Sequence, residues 1–74
     1  MSPKFAIILI REGKNKANVF SLLRRSLREE EGYVSQFGDF SSVFEEVTYL
    51  VNKAEISHSE YYLGRAQALL DKLP

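Results

Sequence analysis

The chain has 74 residues, 45% hydrophobic and 27% charged, with ten basic side chains balanced by ten acidic ones and no cysteine. This composition excludes a disordered tail, a disulfide scaffold and a thiolate metal site, and zero net charge removes the electrostatic footprint of a dedicated nucleic-acid or anionic-membrane binder. One compact domain over residues 1–74 is expected, burying about 60% of the surface of its unfolded chain, and a cytoplasmic location fits a cysteine-free chain.

The first apolar run, "FAIILI" at residues 5–10, is shorter than the roughly 20 residues of a membrane span and the roughly 7 to 15 of a signal-peptide core. It therefore reads as core, and no membrane partner is expected. Its length, its three isoleucines and its phenylalanine predict a buried strand over about residues 4–11. A strand apolar on both faces needs cover on the second one, and a homo-oligomer would supply it. The alternative is a helix over residues 3–12, with Ser2 as N-cap, Pro3 in the first turn and Gly13 as the stop. The chain would then be an all-α four-helix domain.

After an Asn15 or Asn18 cap, the spacing of Val19, Leu22, Leu23, Ser26, Leu27 and Glu30 on one face predicts a helix over 17–31, ended by Gly32. Arg24, Arg25, Arg28, Glu29 and Glu31 form its solvated side. The aromatic segment "YVSQFGDF" follows, and residues 33–37 are expected to form a short strand parallel to the first. Ser42 with Glu45 makes a capping box for a helix over 42–55, whose buried face is Val43, Phe44, Val47, Leu50, Val51 and Ala54. Ser57 with Glu60 repeats the box for a helix over 58–72, with Leu63, Ala66, Leu70 and Leu73 inward. Gly64 within it costs about 1 kcal/mol relative to Ala and suggests a close helix crossing. The sum is a predominantly helical α+β domain.

Catalytic chemistry finds little support. The one histidine, His58 in "SHSE", has Ser57, Ser59 and Glu60 beside it, but neighbours on the first turn of a helix do not converge as a triad must. The acidic clusters Glu29–Glu31 and Glu45–Glu46 read as helix surface, not as an acid and a base across a cleft. A single histidine without cysteine leaves no transition-metal site, and no cofactor is implied. Gly13-Lys14 lacks the earlier glycine of a phosphate-binding loop, and Asn15 stands where that loop has Ser or Thr. No enzyme is expected.

Binding residues are better represented. Tyr33, Phe37, Phe40, Tyr49, Tyr61 and Tyr62 are more aromatics than so small a core can bury, and exposed aromatic rings are typical anchors for partners. The expected function is a small non-enzymatic interaction module (an inhibitor, adaptor, immunity-type or modulator protein) that meets a protein partner through Tyr33, Phe37, Phe40 and Tyr62. The alternative is nucleic-acid binding through the basic group Lys14, Lys16, Arg24, Arg25 and Arg28, or through a helix-turn-helix in residues 42–70. The second helix of that unit opens with Glu60, Tyr61 and Tyr62 and contributes one arginine, Arg65, which weighs against phosphate contact.

Overall fold

A computed structural model describes residues 2–28 and 30–74. A 3-10 turn, Pro3–Phe5, runs directly into α1 (Ala6–Arg11), and α2 (Lys16–Ser26), α3 (Val43–Ser57) and α4 (Glu60–Asp71) follow. No strand occurs among the described residues. The α+β expectation is thereby corrected: the domain is all-helical, with the first apolar run as a helix.

The reason lies at the ends of that run. Ser2 Oγ accepts the Lys4 amide at 3.3 Å, and Pro3 occupies the first turn, where its missing N–H has no cost. At the other end Gly13 adopts φ +83°, its amide donates to Ile10 O at 3.0 Å, and the Lys14 amide donates to Leu9 O at 3.1 Å. These are the two bonds of a Schellman stop. A helix satisfies its own backbone groups, whereas a strand over 4–11 would need a paired neighbour, and residues 33–37 do not supply one. Only one side of α1 goes inward: Ala6 and Ile7 are fully buried, while Phe5 and Ile8 stay exposed. The two-faced strand that called for a second copy of the chain does not exist.

α2 stops at Ser26, five residues before the expected end, where Leu27 turns extended at φ −90° and ψ 133°. Arg24 and Arg25 suit the negative end of the helix dipole, whereas acidic residues 29–31 would oppose it. Of the stretch expected to continue the helix, Glu29 lies outside the described residues, and Arg28, Glu30 and Glu31 are not helical.

The predicted helix over 42–55 is found, extended to Ser57. Its N-terminus is capped by Ser42, whose Oγ accepts the Glu45 amide at 3.2 Å, while the Glu45 carboxylate reaches back to the Ser41 amide at 3.2 Å. The second predicted box does not form. Ser57 still belongs to α3 and donates its hydroxyl to Lys53 O at 2.5 Å. His58 closes α3 in the left-handed conformation at φ 52°, so α4 begins two residues later than expected, after Ser59.

α3 and α4 make the most extensive helix pairing, and α1 and α2 lie across it. Ile7, Leu23, Val47, Leu50 and Leu70 are fully buried at the centre. Gly64 marks no close crossing, since a Cβ built there meets nothing within 4 Å. Arg11 pairs with Glu60 at 3.3 Å, and Lys16 pairs with Glu55 at 2.6 Å and donates to Asn52 at 3.0 Å, which fastens the N-terminal half to the hairpin.

Candidate functional site

Tyr49, Lys53 and Ile56 follow one another at four- and three-residue spacing and form the outer ridge of α3. Around this ridge the aromatic side chains adjoin one another. The Phe40 ring lies 5.0 Å from that of Tyr49, and Lys53 Nζ stands 6.0 Å from the centre of the Tyr62 ring. Tyr62 meets Tyr61 edge to face at 5.3 Å. One turn along α4, the Arg65 guanidinium covers the Phe37 ring at 5.5 Å and donates to Gln36 Oε1 at 3.0 Å. The loop after α2, α3 and α4 thus share one aromatic face.

Exposure on this face is uneven. Tyr49 is 40% exposed, Tyr61 60% and Ile56 79%, whereas Phe37, Phe40 and Tyr62 are half-buried beneath or beside them. Of the four residues singled out in the sequence, three therefore belong to the face mainly as its support. Tyr49 and Tyr61 are its accessible rings. The signal for them is present in the sequence, since each lies off the apolar stripe of its own helix, Tyr49 away from Val47, Leu50 and Val51, and Tyr61 away from Ala66 and Leu70.

The fourth residue, Tyr33, does something different. Its hydroxyl donates to Glu46 Oε1 at 2.5 Å, while Glu46 Oε2 accepts the backbone amides of Gln36 at 2.9 Å and Phe37 at 2.7 Å. Glu46 is fully buried, so the reading of Glu45–Glu46 as helix surface holds only for Glu45. This carboxylate takes two backbone donors of the segment 33–37, Gln36 and Phe37, and the expected short strand there is a loop. Burial first, then the hydrogen bond to Glu46 and the negative charges of Glu46 and Glu30, push the Tyr33 phenol well above its ordinary range. Helical period could have revealed Glu46, because it stands three residues after Val43 and four before Leu50, inside the buried arc.

The basic group is dispersed. Lys14 and Arg25 border a shallow depression floored by Leu9 and Leu22. Arg24 lies over the Phe44 ring at 4.5 Å, and with Arg28 it lines a different depression beside Ser42 and Glu45. Lys16 is taken up by Glu55 and Asn52. The first turn of α4, which a helix-turn-helix would insert into a groove, carries Glu60 already paired with Arg11.

An open apolar groove of about 460 Å³ runs between α1 and the α3–α4 turn, with Ile10, Val51, Ala54 and Leu63 along it. Its carboxylates Glu55 and Glu60 are both held in ion pairs. Among the described residues no three acidic or histidine side chains gather as a metal site would need, and no helix is long and apolar enough to cross a membrane. Comparison with protein families, curated proteins and solved structures finds no match.

Proposed function

We propose that this chain is a small non-enzymatic interaction module that binds a protein partner through the aromatic face of the α3–α4 hairpin and its covering loop. The observation that carries the reading is the continuity of Phe40, Tyr49, Tyr62, Tyr61 and the Arg65-covered Phe37 across three segments of the chain. Tyrosine and arginine supply large, stiff contact area with polar ends, and they dominate the energetic centres of protein interfaces. Two rings here are open to solvent while their neighbours hold them in place.

The test is affinity capture from the native host with the intact chain and with a Tyr49→Ala/Tyr61→Ala variant. Both side chains are exposed, so the helical circular dichroism should not change. A specific protein retained by the natural chain and lost by the variant is expected, because truncating a central anchor typically costs about 2 kcal/mol or more. Equal capture by both chains would remove the aromatic face from consideration.

A further inference from the structure

We infer that the segment docking on this face is acidic, with carboxylates flanking an apolar side chain; this inference rests on the reading of the face as a protein-binding surface. Its basis is a separation of charge in a chain whose net charge is zero. On α4, the acidic Glu60 and Asp71 are eleven residues apart and so share one side of the helix. Glu60 pairs with Arg11 of α1, and Asp71 accepts a hydrogen bond from Gln67, which also reaches Lys4 O. Arg65 lies on the other side, beside Phe37 and Gln36 of the loop. On α3, Glu55 is turned to Lys16, Glu45 to Ser41, and Glu46 into the protein interior. Lys53 stands with Tyr62.

Glu55, Glu46, Glu60 and Asp71 are thus engaged away from the face, and Asp39 and Glu45 stand at its other end, next to Phe40 in the chain and one turn before Tyr49; the two cations at the Tyr62 end, Lys53 and Arg65, form no ion pair among the described residues. A partner that covers them must bring acceptors, since a cation stripped of water and left unpaired opposes binding. Carboxylates on a protein segment suit this face better than a phosphate chain. Two cations are few against a polyanion, and Tyr61 and Tyr62 pack edge to face on each other rather than standing apart as platforms for successive bases.

The experiment uses the full chain labelled with nitrogen-15 and three synthetic peptides that share one central Leu-Phe pair and differ in their flanks, which are Glu, Gln or Lys. A short oligouridine is the fourth probe. The Glu-flanked peptide should shift the amides of Lys53, Tyr62 and Arg65 saturably, bind about ten-fold tighter than the Gln-flanked one, and weaken with added salt. Lys53→Glu, at an exposed position, should abolish that preference with the fold intact. Equal affinity of Glu- and Gln-flanked peptides at the same amides overturns the acidic partner and leaves the protein-binding reading standing. Oligouridine alone moving these amides overturns both. Shifts confined to Lys14 and Arg25, or no shift with any probe, overturn the acidic segment.

Discussion

Removing the Glu46 carboxylate is the sharpest perturbation this fold offers. The group is fully buried, has no cation within ion-pairing distance among the described residues, and is held by three donors, the Tyr33 hydroxyl and the Gln36 and Phe37 amides. Hydrogen bonds to a charged group contribute about 1.5–3 kcal/mol each, and a donor left unsatisfied in the interior costs about 1–3 kcal/mol. Water can reach part of the loop in Glu46→Ala, so the total loss should be about 3–5 kcal/mol rather than the full sum. A chain of this size has about 4–11 kcal/mol of stability in all, and the variant stands near the edge of unfolding. Glu46→Gln behaves differently. Its amide oxygen can serve both backbone N–H groups and its NH2 can donate to the Tyr33 oxygen, so only the charge assistance disappears, at about 1–2 kcal/mol. Urea unfolding followed by helical circular dichroism gives the two values, and hydrogen exchange reports the Gln36 and Phe37 amides directly. Equal destabilisation by Ala and Gln, or unchanged protection of those two amides in Glu46→Ala, would refute the clamp.

Three further substitutions test the backbone and the phenol. Gly64→Ala should stabilise the domain by about 1 kcal/mol, since the position is helical and the new methyl meets nothing within 4 Å; the melting temperature should rise by about 4–8 °C. His58→Gly should be neutral to stabilising, by up to about 1 kcal/mol, because it relieves a left-handed backbone at φ 52° that a β-carbon disfavours, whereas His58→Val should destabilise; both follow from thermal melts. The Tyr33 phenol has its folded-state pKa raised, so its contribution to stability is fully present below its unfolded value of about 10 and is lost as pH climbs above that. Stability of the natural chain should therefore fall more steeply in alkali than that of Tyr33→Phe, as measured by urea midpoints above neutrality.

Much of the helical framework is written locally. Ser42 with Glu45 and the apolar period after it place α3, and the stripe through Ala66 and Leu70 places α4. The first element shows two local signals in conflict. Isoleucine-rich composition favours a strand, while Ser2-Pro3 and Gly13 bracket a helix, and the brackets win because a lone strand leaves its backbone unpaired. The loop from 30 to 42 was not legible in this way. Its order comes from a carboxylate nine and ten residues further along the chain, and no periodicity within the loop encodes that. Nor does composition separate a supporting ring such as Phe37 from an open one such as Tyr61, since that depends on whether Arg65 or solvent lies above it.

Clamp and face are one mechanical unit. Glu46 grips Gln36 and Phe37 by their backbone amides, and Arg65 grips the same two residues by their side chains. The loop is therefore fixed at the point where it borders the exposed tyrosines. A surface held in its binding geometry before the partner arrives loses less conformational entropy on association. Under the proposed reading, loosening the clamp should weaken binding even though Glu46 is out of a partner's reach, and a bound partner should slow exchange at the Gln36 and Phe37 amides, since local opening of the loop would have to break both grips at once. Tyr33→Phe separates this coupling from direct contact. It removes one of the three bonds to Glu46 while leaving Tyr49, Tyr61, Lys53 and Arg65 untouched, so reduced affinity accompanied by faster amide exchange at 36 and 37 is the signature of preorganisation, and reduced affinity with unchanged exchange would instead make Tyr33 itself a contact residue.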